Sequence, residues 1–310
     1  MARRKRGRKV DGWVVVDKPV GITSTAVVAR IKRLFEAQKA GHAGTLDPVA
    51  SGCLPVALGE ATKTVSFAME GRKLYRFTVS WGVETDTDDT EGKPVATSEV
   101  RPDPAAIGAA LAEFRGRISQ VPPSYSAVKV AGERAYDLAR DGEILELGAR
   151  EVVVYRLELE SCPDADTAVF LAECGKGTYV RALARDLGRR LGTCGHVTAL
   201  RRLAVGPFRE ERMIPLEKLE EMGHNAPASP DLRVGGALLP VETALDDIPA
   251  LAMTERDAAR LRSGQSVLLR GRDAPVVSGH AYALSDGKLV ALGEVEQGAF
   301  CPRRVFNLSG

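Results

Sequence analysis

Residues 39–52 read Lys-Ala-Gly-His-Ala-Gly-Thr-Leu-Asp-Pro-Val-Ala-Ser-Gly, with His42 and Asp47 at their centre. Three glycines in fourteen residues let the backbone turn sharply and come close to a ligand. Pro48 fixes its own φ and steers Asp47, just before it, away from the helical region. The result is a stiff loop presenting one carboxylate and one imidazole, an arrangement suited to a catalytic site on a loop. Taken alone, a Gly-x-x-Asp element reads as a turn with a helix-capping Asp. The full string and its distant partners favour chemistry.

Working outward, the chain is 310 residues long, with 44% hydrophobic and 27% charged residues. That is ordinary for a globular protein and long enough for two domains. No apolar run approaches the ~20 residues of a membrane span, and Trp13–Val16 is too short for a signal-peptide core. The sequence therefore reads as cytoplasmic, with no membrane partner. Net charge is +2, but six cations and no acid fall within residues 1–9, leaving 37 cations against 41 acids in the remainder. Global charge gives no case for nucleic-acid binding, so local patches must carry it. The arm itself fits either a phosphate-binding extension or a solubilising tail. The cysteines (Cys53, Cys162, Cys174, Cys194, Cys301) are odd in number and lack a C-x-x-C pair. That argues against a disulfide framework and a structural zinc site.

The apolar pattern predicts strands at 12–19, 54–58, 73–83, 152–159 and 168–174. It predicts helices after Ser24 or Thr25, over 104–115, over 133–140 and over 177–191, each with a 3.6-residue apolar period or a short polar run. Strands and helices alternate irregularly without a fixed repeat. The expected class is α+β, around a central mixed or antiparallel sheet. Residues 223–244, rich in Pro and Gly, read as a connector. Beyond them, 245–310 reads as a small β-rich unit, with Thr254–Asp257 resembling a capping box. The expected organisation is a basic arm at 1–9, a catalytic domain at 10–222, the connector and the C-terminal unit.

Four separated motifs span residues 10–220: Asp17-Lys-Pro-Val-Gly21, the His42–Asp47 loop, Lys73-Leu-Tyr-Arg-Phe77, and Cys174-Gly-Lys-Gly-Thr-Tyr-Val-Arg181. Together they resemble the TruB family of bacterial tRNA pseudouridine synthases. The segments Pro122–Lys129 and Gly195–Leu203 resemble it too. The resemblance implies a pseudouridine synthase fold with a PUA-like RNA-binding domain at 245–310. It also implies stand-alone isomerisation of uridine 55 in the tRNA T-loop, without a cofactor. Asp47, Tyr75 and Arg181 are then the expected catalytic residues. Asp47 can add to C6 of the uracil or assist at the ribose. Tyr75 stacks on the base and takes part in proton transfer, and Arg181 pairs with Asp47 or holds a phosphate. Substrate contacts are expected from Lys18, Pro19, His42, Lys129, Tyr179, Leu200, Arg201 and Arg202.

Arg181, Arg185 and Arg189 recur at i, i+4 and i+8, and so share one helix face. That face is expected to track the tRNA backbone. No Walker A loop, dinucleotide motif or zinc-ligand spacing is present, so no cofactor or metal is expected. The expected partner is the tRNA T-arm, with a monomeric enzyme and no obligatory protein partner. Rival readings are a guide-RNA-dependent synthase of the dyskerin type, a non-catalytic RNA-binding or tRNA-folding chaperone, and, more remotely, a metal-dependent hydrolase using His42 and Asp47.

Overall fold

The computed structural model describes residues 7–126, 128–130, 133–135, 147–224, 236–269 and 277–308. A ten-stranded mixed sheet forms its centre. In chain order its principal strands are β1 (Gly12–Lys18), β2 (Ala40–His42), β3 (Ala50–Leu58), β4 (Lys73–Trp81), β5 (Gly116–Gln120), β6 (Arg150–Ser161), β7 (Thr167–Cys174), β8 (Gly195–Val205) and β9 (Ile214–Pro215). The order across the sheet is β9-β1-β3-β8-β4-β7-β6-β5, with β2 paired to β3 and Phe208–Arg209 to β8. Among the described residues of this sheet, only β1/β9 and β3/β8 are parallel. The class is α+β, as the irregular alternation predicts.

β1 explains how the two halves of the molecule join. Its side chains alternate between faces, as in any strand. Val14 and Val16 enter a core shared with Val27 and Ile31 of α1 (Ser24–Leu34), with Phe77 and with Phe170. Trp13 and Val15 face the other way, toward Phe208, Val241, Leu245, Leu289, Leu292 and Phe306. The last three belong to the C-terminal portion. There a five-stranded sheet runs β10 (Ala250–Ala252), β12 (Gly279–Ser285), β13 (Lys288–Glu296), β14 (Ala299–Val305) and β11 (Val267–Leu268). Trp13 Nε1 donates to the Val241 carbonyl at 3.2 Å, so the indole's one polar atom is satisfied inside the seam.

Several local expectations shift. Thr23 caps α1, accepting from Ala26 N–H at 3.1 Å, while Ser24 turns inward. The helix at 104–115 is α-helical only over Pro104–Ala110 and tightens to 3₁₀ over Leu111–Phe114. The helix expected over 133–140 does not begin at its first residues, where 133–134 pair as a short strand with 129–130; its remainder, 136–140, lies outside the described residues. So does half of the connector, 225–235. Thr254 does cap its helix, Glu255–Arg262, by accepting from Asp257 N–H at 3.1 Å.

Gly52 lets β3 and β8 meet. It is the register partner of Arg202, and its φ of +100° is one that side chains rarely adopt. A Cβ there would lie 2.2 Å from the Arg202 carbonyl oxygen. Gly52→Ala is expected to destabilise the protein by ~2 kcal/mol or more, through backbone strain and lost pairing. Urea denaturation measures this directly.

Candidate active site

The Asp47 loop is held on several sides. Ser24 Oγ donates to the Leu46 carbonyl at 2.9 Å and accepts from Leu46 N–H at 2.8 Å. Gly21 N–H donates to the Pro48 carbonyl at 2.8 Å. Lys18 Nζ donates to the carbonyls of Pro19 (2.9 Å), Ile22 (2.8 Å) and Pro48 (3.4 Å). Arg202, 1% exposed, donates to Cys53 O (2.7 Å), Gly44 O (3.0 Å) and Thr45 O (3.3 Å). Burial takes Lys18 down to about 8, with Asp47 opposing the shift and Arg202 adding to it.

The Asp47 carboxylate, 38% exposed, pairs with Arg181 Nη2 at 2.9 Å. Arg181 opens α4 (Val180–Arg190) and is almost wholly buried. It also approaches Asp89 at 3.4 Å and donates to Thr87 O (2.8 Å) and Tyr125 O (3.0 Å). A charge so surrounded has little freedom to reorient. Just before α4, the amide side chain of Gln120 bridges both backbone groups of Tyr179. It accepts from Tyr179 N–H at 2.8 Å and donates to its carbonyl at 3.1 Å.

Asp47, Tyr75, Tyr179, Arg181, Leu200 and Arg202 meet around one cleft of about 280 Å³. This is near the lower end of the range for ligand pockets. Tyr75 is the cross-strand partner of Arg202. Burial raises the Tyr75 hydroxyl above the ordinary phenol range, with the Arg202 charge pulling the other way. The phenol is thus protonated at neutral pH and can donate. Burial likewise raises Tyr179.

Other sequence-predicted residues sit elsewhere. Pro19 is exposed beside the loop. His42, on β2, is outside the cleft lining; burial first, then the Arg202 charge, lowers its imidazole below the ordinary range. The side chain of Lys129 lies outside the described residues. Arg201 and Arg202 point to opposite faces of β8, as the two-residue period requires. Arg201 forms a two-bond pair with Asp17 (2.9 Å each) and a further pair with Glu210, away from the cleft.

The arginine track on α4 requires correction. The three arginines do share a face, but that face is turned inward, onto acids of the 84–89 segment. Arg185, 7% exposed, pairs with Asp88 (2.9 Å), bonds Asp186 (2.8 Å) and donates to Val121 O (2.8 Å). It has no free surface to offer a phosphate. Arg189 is more open, yet makes two bonds to Glu84 (2.6 and 3.0 Å). Sequence reading also missed Ser24, Gln120 and Asp89. The spacing of Glu84, Asp86, Asp88 and Asp89 opposite an arginine-bearing helix is the signal that could have revealed the last of these.

The comparisons with known proteins follow this geometry. The profile of the TruB family pseudouridylate synthase N-terminal domain matches residues 32–180, and that of the tRNA pseudouridylate synthase B C-terminal domain matches 181–246. A tRNA pseudouridine synthase B of Bradyrhizobium diazoefficiens is 64% identical over 307 residues, covering 99% of this chain and 89% of the relative. One of Agrobacterium fabrum is 54% identical over 305 residues, covering 98% and 97%. Among solved structures, a Cbf5–Nop10–Gar1 complex matches with TM-score 0.73 and 28% identity, over 96% of this chain and 84% of that one. An H/ACA RNP bound to a substrate RNA containing 2′-deoxyuridine gives TM-score 0.74 at 24% identity, over 99% and 92%, a likeness of fold. The family match and the relatives define a pseudouridine synthase, an isomerase. The chain belongs to the TruB family of tRNA pseudouridine synthases.

The inward-facing arginines make a testable distinction. Arg185→Ala leaves Asp88 buried without its partner and is expected to cost ~3–5 kcal/mol of stability. Arg189→Ala removes an open guanidinium from the buried carboxylate of Glu84 and is expected to cost less, ~1–2 kcal/mol, because water can replace the lost partner. Denaturant unfolding of the two variants side by side checks the difference.

Proposed function

We propose that the chain isomerises uridine 55 of the tRNA T-loop to pseudouridine, alone and without a cofactor. The observation that carries this reading is the half-exposed Asp47 carboxylate, fixed by buried Arg181 at 2.9 Å in a nucleotide-sized cleft with Tyr75. The target base leaves its stack, at a cost of a few kcal/mol, and enters beside Asp47. The C1′–N1 bond breaks, the uracil turns, C1′ joins C5, and the C5 proton is lost. Asp47 acts either as nucleophile at C6 or at the ribose, where removal of the C2′ proton gives a glycal-like intermediate. Arg181 orients the carboxylate for either route. The protonated Tyr75 hydroxyl serves proton transfer, and Leu200 and Tyr179 pack the base.

The tRNA T-arm is the partner, recognised by shape and loop bases, and the working unit is a monomer. The C-terminal sheet is read as a PUA-like RNA-binding module within 245–310, joined through 223–244. Identity of 64% to a tRNA pseudouridine synthase B favours stand-alone action over the guide-RNA-dependent reading.

The test is tritium release from [5-³H]uridine tRNA by the purified chain, with EDTA and no guide RNA, followed by mapping of the modified position. Release of one tritium per tRNA, mapped to position 55, is expected. Asp47→Asn is expected to bind tRNA within about threefold of wild type yet show no turnover, because it removes the charge either route needs. Turnover within about tenfold of wild type would refute the catalytic assignment.

Tyr75→Phe keeps the ring and loses the donor. Its single-turnover rate is expected to fall by about 10²-fold or more, with tRNA affinity little changed; an unchanged rate would reduce Tyr75 to a stacking residue.

A further inference from the structure

Residues 3–9 hold six cations and no acid: Arg3, Arg4, Lys5, Arg6, Arg8 and Lys9. The root of this arm is fastened to the body of the molecule. Arg8 N–H donates to the Glu36 carbonyl at 2.7 Å, and the Arg8 carbonyl accepts from Gln38 N–H at 3.1 Å. Gln38 Nε2 donates to the Gly7 carbonyl at 3.0 Å, and the Arg8 side chain pairs with Glu36 at 3.6 Å. Gly7 sits at φ +111°, and a Cβ there would lie 2.7 Å from the Glu36 carbonyl oxygen. Only glycine meets that conformation and that contact without strain. A tail that merely adds solubility needs no such fastening.

The fastening gathers like charge. Lys32 and Arg33 lie in the last turn of α1, just before Glu36. Lys9 follows Arg8, and Lys39 follows Gln38. All four are exposed, and none has a carboxylate partner among the described residues. The helix dipole accounts for cations at 32 and 33, but not for those at 9 and 39. The acids beside them are engaged already: Glu36 with Arg8, Glu60 with Lys63, and Asp11 with Glu60 N–H at 2.7 Å. Clustered like charge works against the compact state, and a bound polyanion relieves it.

We propose that residues 3–6 and Lys9, with Lys32, Arg33 and Lys39, form a phosphate-binding surface for the T-arm stem of the tRNA whose loop sits at Asp47. This rests on the reading of the chain as a tRNA-modifying enzyme. The placement follows from the chain path. Segment 36–38 leads through Lys39 into β2, which ends at His42, five residues before Asp47. β2 spans ~10 Å at the rise of a strand. Six residues of chain beyond Gly7 extend ~20 Å at most. The surface thus begins about one short strand from the catalytic loop, and the arm has the reach to meet phosphates flanking a loop bound there. Contacts of this kind add affinity and orientation without reading sequence.

Two variants of the full chain test this. One combines Arg3→Gln, Arg4→Gln, Lys5→Gln and Arg6→Gln; the other combines Lys32→Gln and Lys39→Gln. Equilibrium binding is measured across a salt series, on full-length tRNA and on an isolated T-arm stem-loop. Single-turnover rate at saturating RNA and thermal unfolding are measured alongside. In the arm variant the slope of log affinity against log salt is expected to shrink by ~2 or more, at ~0.7–0.9 per phosphate contact. Its affinity at ~0.1 M salt is expected to fall by ~tenfold or more. The second variant is expected to lose ~1 of slope. Both losses should persist on the stem-loop, because the surface adjoins the loop site. They should fall on affinity, with the saturating rate within ~threefold of wild type. The melting temperature should hold or rise, since like charge is removed.

An unchanged salt slope in the arm variant, a loss confined to full-length tRNA, or a variant that is less soluble yet binds as wild type would each overturn the proposal. These outcomes leave the function itself standing when wild type forms pseudouridine and Asp47→Asn does not. A wild-type chain that neither binds nor modifies tRNA overturns both.

Discussion

The buried guanidinium of Arg202 is the interaction on which the site depends. It has been taken out of water and held by backbone carbonyls of Gly44, Thr45 and Cys53. Charge burial of this kind is tolerated only when several well-placed acceptors replace the lost solvent. Its charge also reaches outward. It helps lower Lys18, His42 and Lys73, and it opposes the upward shifts that burial imposes on Tyr75 and Cys53. One residue thus shapes both the course of the Asp47 loop and the field around it.

The remaining clamps extend the same logic. Ser24 holds Leu46, Lys18 and Gly21 hold Pro48, and Arg181 holds the Asp47 carboxylate itself. None of these groups needs to meet substrate to matter. Polar groups fixed before the substrate arrives lower the reorganisation required during reaction. The acids of residues 84–89 then keep the helix that carries Arg181 seated, through Asp88 on Arg185 and Glu84 on Arg189. A polar network of this kind is favourable only while all its members are satisfied. That is why its buried members, Arg181 and Arg185, cannot also serve as a phosphate track.

Much of this is legible in the sequence. The alternation in β1 and the 3.6-residue period of α4 state which residues share a face, and the sheet and helix obey them. What a face meets is a tertiary matter. The polar stripe of Arg181, Arg185 and Arg189 reads the same whether it looks onto solvent or onto carboxylates about 100 residues earlier in the chain. The acids of residues 84–89 sit together in the sequence, but nothing local joins them to α4. Arg201 and Arg202 show the converse. Strand alternation alone sends them to opposite faces, so only one can approach the cleft. The cap of α1 slipped by one residue because Ser24, a good cap by type, is drawn inward by the backbone of Leu46. Buried polar groups such as Gln120 and Ser126 carry no periodic signal at all.

Arg202→Lys puts the dependence on this one side chain to the most direct test. Lysine retains the charge but cannot reach three carbonyls in a fixed fork. Single-turnover pseudouridine formation on tRNA, with affinity measured alongside, is the measurement. A rate reduced by about a hundredfold or more, with affinity within about threefold of wild type and a folded protein, is the expected result. A rate within about tenfold of wild type would contradict it, and would mean that the Asp47 loop keeps its working geometry without the Arg202 fork.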